Sequence, residues 1–257
     1  MVARTEEIRV ERLRKVFPSH DYNKPAVVAL DRVDATIKPG EFVSLIGPSG
    51  CGKTTWLRLI AGLEIPTEGA IYVGDRKITS PGRERGLVFQ DPNLFPWLTV
   101  QENIAFGLKI KGKLTSEDQE NIASLITLVG LTGFEKSYPY QLSGGMAHRA
   151  AIARALVNNP EVLLFDEPFG ALDAFTRMKL QNDVLRIWRE RKTTMILVTH
   201  DVEEAIFLGQ RVFAMTPRPA RVKKIIDINL DYPRKRDDHT FIALKEEVLG
   251  VLDFHNI

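Results

Sequence analysis

The stretch Phe-Val-Ser-Leu-Ile-Gly-Pro-Ser-Gly-Cys-Gly-Lys-Thr, residues 42–54, decides the fold that we predict for this chain. Its first five residues form an apolar run typical of a buried strand, and residues 54–61 have a helical pattern. The segment between them, 47–54, matches the pattern G-x-x-x-x-G-K-[ST], whose glycines let successive backbone N–H groups point at phosphate oxygens. A strand, a glycine-rich loop and a helix in this order predict a nucleotide-binding site.

The residues of this loop have separate predicted tasks. Lys53 is expected to reach the β- and γ-phosphates of the nucleotide, and the hydroxyl of Thr54 is expected to ligate Mg²⁺. The N-terminus of the following helix adds partial positive charge at the same place. For Cys51, the only cysteine, a role as a small residue that fits the turn is favoured over a role as an oxidation-sensitive thiol. The predicted nucleotide-binding residues of this segment are Gly47, Pro48, Ser49, Gly50, Cys51, Gly52, Lys53, Thr54 and Thr55.

The rest of the chain predicts an α/β fold. Short apolar runs separated by helical patterns indicate a parallel sheet with crossover helices, and two earlier segments alternate apolar and polar residues as antiparallel strands do. A middle stretch, about 99–156, has no strand-like run, and we interpret it as a helical lobe inserted into the sheet domain. The apolar runs are 42–46, 86–89, 162–165, 194–198 and 211–215, and the alternating segments are 8–17 and 27–37.

The composition narrows the classes of function. A chain of 257 residues with 44% hydrophobic and 26% charged residues is typical of an ordinary globular protein. Its formal net charge of +2 is too small to indicate a nucleic-acid-binding surface. The first ten residues lack the apolar core of a signal peptide, and no apolar run reaches the length of about 18 residues that a membrane span needs. We therefore expect any membrane role to come through a partner.

Two carboxylates directly follow one of the apolar runs. Asp166 and Glu167 come after residues 162–165, and parallel sheets bind their ligands at the carboxyl ends of the strands. We therefore expect Asp166 to lie near the Mg²⁺ that Thr54 holds. Glu167, one residue further along, is expected to polarise an attacking water as the general base.

Gln90 and His200 end two further strand-like runs and are candidates for the same edge of the sheet. The amide of Gln90 can contact water or the ligands of Mg²⁺, and the imidazole of His200 can hydrogen-bond a γ-phosphate. For either residue taken alone, a structural hydrogen bond is the favoured interpretation.

A further motif gives these features a fixed order. Leu142-Ser143-Gly144-Gly145 directly precedes a helical run. Along the chain, this motif comes after the phosphate loop and Gln90, and before Asp166-Glu167, Ala171-Leu172-Asp173 and His200. In this order the motifs resemble those of the nucleotide-binding subunits of ABC transporters, over about residues 8–225. The resemblance implies a RecA-like P-loop core with an N-terminal antiparallel β subdomain and an inserted α-helical subdomain. It implies one ATPase domain at 1–225, with its core at about 1–98 and 157–225 and its helical subdomain at about 99–156, and a short C-terminal extension at 226–257.

The resemblance also implies ATP, Mg²⁺ and a second copy of the chain. In the family, two subunits meet head to tail around two ATP molecules, and the Leu-Ser-Gly-Gly motif of one subunit, the signature, faces the phosphate loop of the other. Outside the phosphate loop, the nucleotide contacts that the resemblance implies are Ser143, Gly144, Gly145 and Asp173. The implied catalytic residues are Glu167, His200 and Gln90, and the implied ligands of Mg²⁺ are Thr54, Gln90 and Asp166.

The family stacks an aromatic residue of the first strand region on adenine. Phe17 is the candidate for this contact and Tyr22 is the runner-up, while a core role for Phe17 stays open. Aromatic residues also follow Gln90, at 94–100, where the family receives a short helix of the membrane subunit. Packing inside the helical lobe and transmission of the nucleotide state to the permease both stay open for this segment.

One residue departs from the usual family pattern. Met146 follows the signature where the family usually has Gln, which resembles the importers of nitrate, sulfonates and taurine. That branch implies separate permease subunits, an extracytoplasmic substrate-binding protein, no nucleic acid, and a peripheral position on the cytoplasmic face of the inner membrane. His148 is unusual even in this branch, and we expect it to be a solvated helix residue. The alternatives are an ABC-type ATPase that acts on nucleic acid or ribosomes, and an unrelated phosphate-loop kinase or GTPase.

Overall fold

The computed structural model describes residues 5–19, 25–110 and 112–252, which divide into two compact units. We call residues 5–82 and 194–252 the phosphate-loop unit, and residues 83–193 the signature unit. In chain order the strands are β1 (Ile8–Phe17), β2 (Val27–Ile37), β3 (Phe42–Ile46), β4 (Glu68–Val73), β5 (Arg76–Lys77), β6 (Arg85–Val88), β7 (Val162–Asp166), β8 (Thr194–Thr199), β9 (Arg211–Met215) and β10 (Val222–Asp227). The helices are α1 (Lys53–Ala61), α2 (Val100–Lys109), α3 (Ser116–Leu128), α4 (Gly144–Leu156), α5 (Ala174–Arg191), α6 (Val202–Leu208) and α7 (His239–Val251), with a short 3-10 turn at Pro139–Gln141.

The phosphate-loop unit contains both kinds of strand that the sequence predicts. Strands β2, β1, β4 and β5 form an antiparallel sheet in that order. Strands β1 and β2 are the two segments predicted from alternation, and β4 and β5 form a hairpin. Strand β3 pairs in parallel with both β8 and β9, and β10 pairs antiparallel with β9. All residues of β3 and β8 are buried, which explains why most of their residues are apolar.

The signature unit combines a parallel pair of strands with four helices. Strands β6 and β7 pair in register from Arg85 with Val162 to Val88 with Phe165. Helices α2 and α3 each begin with a capping box, and their N-cap residues are Thr99 and Thr115. The predicted helical subdomain, 99–156, falls within this unit, which also holds β6, β7 and α5.

The segment predicted as a C-terminal extension packs into the phosphate-loop unit. Its helix α7 contacts α6, and Arg234 is only 6% exposed. The Arg234 guanidinium donates to the carbonyl oxygens of Ile206 and Gly209 at the end of α6, where a cation complements the helix dipole. Burial lowers the pKa of Arg234, and these carbonyl contacts offset part of the cost of desolvation. Among the described residues, no helix combines the length and the apolar character needed to cross a membrane.

Candidate functional site

The phosphate loop connects β3 to α1 inside the phosphate-loop unit. Gly50 and Gly52 have φ angles of 72° and 129°, in the left-handed region that L side chains rarely adopt. A Cβ atom on Gly52 would also lie 2.9 Å from the carbonyl oxygen of Ala29, so this position has no room for a side chain. The two glycines therefore let the loop curl back toward the start of α1, which is the geometry of an anion-binding turn.

The Lys53 side chain folds back over this loop. Lys53 is 5% exposed, and its ammonium donates to the carbonyl oxygens of Gly47 at 2.7 Å and Pro48 at 3.1 Å. An ammonium has three N–H donors, and these two bonds hold it against the backbone whose N–H groups are predicted to bind phosphate. The positive charge is thus placed by the loop itself, while Thr54 and Thr55 lie half-buried in the first turn of α1.

Cys51 lies inside the turn with its side chain buried. Its N–H donates to the carbonyl oxygen of Pro48 at 3.2 Å, and the residue is 1% exposed. A Cβ atom on Gly47 would lie 3.1 Å from its sulfur, so the thiol fills space against the start of the loop. This burial favours the interpretation of Cys51 as a small residue that packs in the turn.

Sheet register brings His200 to the same edge as the phosphate loop. Ile46 at the end of β3 pairs with Thr199 at the end of β8, so Gly47 and His200 leave neighbouring strands together. His200 is exposed, and the turn that carries it is held by neighbouring side chains. The Thr199 hydroxyl accepts from the N–H of Asp201 at 3.0 Å and donates to buried Glu204 at 2.7 Å.

The same argument from register applies inside the signature unit. Val88 pairs with Phe165, so Gln90 and Glu167 follow neighbouring ends of β6 and β7, with Asp166 as the last residue of β7. A Cβ atom on Gly170 would lie 3.5 Å from Nε2 of Gln90 and 3.7 Å from the carbonyl oxygen of Glu167. The side chain of Gln90 therefore lies beside the turn that begins at Glu167.

Glu167 itself has an unusual backbone. Its φ of 48° is in the left-handed region, where few residues other than glycine are found. Such conformations persist where surrounding structure enforces them, and they cluster at functional sites. The backbone of Glu167 supports the prediction that its carboxylate has a catalytic task.

The signature motif forms the N-terminus of α4. Ser143 caps this helix by accepting from the N–H of Met146 at 3.3 Å, and both Ser143 and Gly144 are exposed. Gly145 packs against α5, and a Cβ atom there would lie 2.4 Å from Cγ2 of Thr176. The glycines thus allow close packing and leave backbone N–H groups at a helix N-terminus, where anions bind favourably.

Asp173 has a local structural task. Its carboxylate caps α5 by accepting from the N–H groups of Phe175 and Thr176, both at 3.1 Å. Hydrogen bonds from Thr176, first from its side chain and then from its backbone, hold the pKa of Asp173 below its ordinary value. The sequence predicts a nucleotide contact for Asp173, and the described contacts of its carboxylate are those of a helix cap.

The structure describes Phe17, the candidate for the adenine contact, and the aromatic segment 94–100. Phe17 ends β1 half-buried, with the Lys15 ammonium 4.8 Å from its ring centroid, so it is not one of the buried core residues. Tyr22 lies outside the described residues. In segment 94–100, Phe95 packs with its ring centroid 4.4 Å from that of Phe106, whereas Trp97 is 69% exposed.

The expectation for His148 is wrong. It is 3% exposed rather than solvated, with Nδ1 at 2.9 Å from the carbonyl oxygen of Gly144 and Nε2 at 3.1 Å from that of Gln90. The helical periodicity of α4 places position 148 on the same face as buried Gly145, Ala151 and Ile152. The helical periodicity therefore predicts burial of position 148, whereas the polar residue type favours exposure.

The oxygen donors predicted for a metal fit Mg²⁺. A hydroxyl from Thr54, an amide oxygen from Gln90 and a carboxylate from Asp166 are hard ligands of the kind that Mg²⁺ uses together with substrate phosphates. Asp166 is the last residue of β7 and Gln90 follows the neighbouring strand β6, which suits a shared ligand.

Comparisons with known proteins identify the class. A family described as ABC transporter matches residues 30–170. The chain is 48% identical to an uncharacterized ABC transporter ATP-binding protein of Methanocaldococcus jannaschii, over 96% of this chain and 91% of that protein. It is 50% identical to the aliphatic sulfonates import ATP-binding protein SsuB of Bacillus subtilis, over 86% of each chain. A solved dimeric structure of the ATP-binding cassette MJ0796, in a post-hydrolysis state with ADP and Pi, aligns with a TM-score of 0.74 and 34% identity, covering 87% of this chain and all of that one.

This chain belongs to the ABC transporter family. It is an ATP-binding subunit of that family and an ATPase, so the predicted family, α/β fold with a RecA-like P-loop core, and nucleotide chemistry are confirmed. The predicted roles of individual site residues rest on the geometry above and stay predictions.

Proposed function

We propose that this chain is the ATP-hydrolysing subunit of an importer that takes up a small anion such as a sulfonate, taurine or nitrate. The observation that carries the proposal is the 50% identity to a sulfonates import ATP-binding protein over 86% of both chains. In this proposal separate permease subunits span the membrane, an extracytoplasmic binding protein delivers the solute, and the chain is peripheral on the cytoplasmic face of the inner membrane. Trp97, exposed beside packed Phe95, offers an aromatic surface for a permease helix.

Two copies of the chain act together in the proposed mechanism. The dimeric state of the similar MJ0796 cassette supports this assembly. The phosphate loop of one copy, with Lys53 already held against it, binds the phosphates of ATP. The helix α4 of the other copy supplies the second wall with Ser143, Gly144 and Gly145, whose backbone N–H groups at a helix N-terminus attract anions.

Hydrolysis follows from the residues at the strand ends. The Glu167 carboxylate accepts a proton from the attacking water, while Gln90 orients that water and His200 hydrogen-bonds the γ-phosphate. Thr54, Gln90 and Asp166 would hold Mg²⁺, which when bound would neutralise charge on the phosphates. Phe17 stacks on adenine. Binding of ATP closes the dimer, hydrolysis and product release reopen it, and the permease follows these two states.

Reconstitution tests the proposed transport. The chain is purified with its permease subunits from detergent-solubilised membranes and inserted into liposomes with the binding protein. We expect ATP-dependent uptake of labelled taurine or an alkanesulfonate, and stimulation of ATPase activity by the loaded binding protein. The permease alone and a Glu167→Gln subunit are the matched controls. ATPase activity without stimulation by any small anion, or a failure to co-purify with permease chains, would contradict the importer proposal.

A further inference from the structure

His148 connects two segments that the sequence separates widely. It lies on α4, almost completely buried, and its two ring nitrogens face carbonyl oxygens of different segments. Nδ1 lies 2.9 Å from the carbonyl oxygen of Gly144, one turn earlier on the same helix. Nε2 lies 3.1 Å from the carbonyl oxygen of Gln90, which is 58 residues earlier in the chain. A carbonyl oxygen can only accept, so each contact is a bond that the imidazole donates when that nitrogen carries a proton.

Helix α4 holds the segment after β6 at further points. The Arg154 guanidinium donates to the carbonyl oxygens of Asn93 at 2.7 Å and Pro92 at 2.8 Å. Burial lowers the pKa of Arg154, so this cation is kept in place against a desolvation cost. Side chains of α4 therefore face three backbone carbonyl groups of segment 90–93. Arg154 donates to two of them, and Nε2 of His148 lies within hydrogen-bond distance of the third, which belongs to Gln90.

The position of the Gln90 backbone determines where its amide points. Nε2 of Gln90 lies 3.5 Å from the Cβ position of Gly170, whose N–H donates to the carbonyl oxygen of Glu167 at 3.3 Å. A shift of the Gln90 carbonyl would move this amide relative to the Glu167 turn. At its other end His148 bonds Gly144, the first residue of α4 after the cap Ser143.

We propose that His148 is a positioning residue that ties the Gln90 segment to the N-terminus of the signature helix, so that the amide orienting the attacking water moves with the residues that bind the second copy's ATP. The proposal rests on the proposed function for the roles of Gln90 and the signature. The bond that matters is the one from Nε2 to Gln90. The bond from Nδ1 is local to α4.

Two substitutions separate these bonds. The Asn amide nitrogen is as many bonds from Cβ as Nδ1, so His148→Asn keeps the donor for Gly144 and removes the one for Gln90. The Gln amide nitrogen is as many bonds from Cβ as Nε2, so His148→Gln keeps the donor for Gln90. ATPase kcat and KM are measured on the purified protein. We expect His148→Asn to lower kcat about threefold to tenfold with a smaller change in KM, and His148→Gln to restore it.

A stability control distinguishes positioning from loss of folding. Ile152→Val removes one methyl group from a residue of α4 that is 1% exposed, leaves both ring nitrogens of His148 in place, and is expected to lower Tm. We expect this variant to keep its kcat at temperatures below its transition. If His148→Asn lowers kcat no more than Ile152→Val does, or if His148→Gln is as impaired as His148→Asn, the positioning role is overturned.

A double-mutant cycle with Gln90→Ala completes the test. Without the amide there is nothing for His148 to position, so His148→Asn is expected to cause no further fall in kcat in the Gln90→Ala background. Additive losses would overturn the positioning role while leaving the proposed catalytic role of Gln90 intact. Normal turnover of Gln90→Ala by itself would instead show that the proposed role of Gln90 is wrong, and the role of His148 would fall with it.

Discussion

The phosphate loop and the Gln90 segment bind their surroundings in opposite ways. The loop is held by its own neighbours in sequence, since Lys53 donates to Gly47 and Pro48 a few residues earlier. The Gln90 segment is held by helix α4, through contacts from His148 and Arg154 that span about 60 residues of sequence. The loop, which we predict to bind phosphate, is therefore held by local contacts, whereas the Gln90 segment is held by tertiary packing.

This difference indicates which substitutions should impair nucleotide binding and which should impair turnover. In the proposed function, the phosphates of the nucleotide bind to a loop that is held by local contacts. The residues to which we assign turnover, Gln90 and Glu167, are placed by the packing of α4, β6 and β7 in the signature unit. Substitutions in the loop should therefore act on affinity, whereas substitutions at Glu167 and around Gln90 should act on turnover with affinity for ATP largely kept.

The largest expected effect comes from Glu167, in the signature unit. Glu167→Gln keeps the size of the side chain and removes the base, so we expect ATPase turnover to fall by about 10²–10⁴-fold while ATP still binds. Turnover is measured by phosphate release, and binding by titration with a fluorescent ATP analogue. Turnover close to that of the original protein would remove Glu167 from the role of general base, and weakened binding would break the division between the two regions.

Lys53 tests the same division from the side of the loop. Lys53→Ala removes a charge-assisted contact to the phosphates, and we expect nucleotide binding to weaken by about tenfold to a hundredfold, with loss of hydrolysis. Lys77→Ala, at an exposed lysine of β5 in the same unit, is the matched control for net charge. Equal affinities of the two variants in the same titration would contradict the assignment of Lys53.

Gly145 tests the packing of the signature helix. An added methyl group would meet Cγ2 of Thr176 at 2.4 Å, so Gly145→Ala should destabilise the fold by about 1–3 kcal/mol and lower turnover. Thr176→Ser removes that methyl group but keeps the hydroxyl, and we expect it to restore the Tm of Gly145→Ala. Gly144→Ala is the control for stability, because its added methyl group would meet Leu172 at 3.4 Å. A Tm that the second substitution does not recover would show that the clash is not the cause.

Local patterns predicted the loop, and long-range contacts account for what was missed. Strand β3, the turn glycines and the first residues of α1 follow from adjacent residues, so the local sequence of residues 42–54 predicts their structure. The strands β1 and β2 were likewise found from alternation. The contact of His148 with Gln90 depends on how α4 packs, and no local pattern specifies a partner 58 residues away. The N-cap role of Asp173 follows from a short polar residue before a helix, and the nucleotide contact that the resemblance implies stays a prediction.

The smallest expected effect concerns Asp173 and depends on pH. Its pKa in the folded chain lies below the ordinary value of 3.8, because Thr176 and the backbone hydrogen-bond the ionised form. Asp173 therefore contributes its full stability above that ordinary value and loses it as the pH falls through the lowered one. We expect Asp173→Ala to lower the urea midpoint at pH 7, and the gap from the original protein to narrow below about pH 4.

Asp173→Asn separates the charge of this cap from its geometry. The Asn oxygen can accept the same bonds from Phe175 and Thr176, and it does not titrate, so this variant should differ from Asp173→Ala by a gap that stays constant with pH. If the gap between Asp173→Ala and the original protein also stays constant down to pH 3, the ionised carboxylate is not what stabilises α5. A large loss of ATP affinity in Asp173→Asn at pH 7, with an unchanged urea midpoint, would favour the nucleotide contact that the sequence predicts. That result would place Asp173 with Lys53, among the residues that act on affinity, although it belongs to the signature unit.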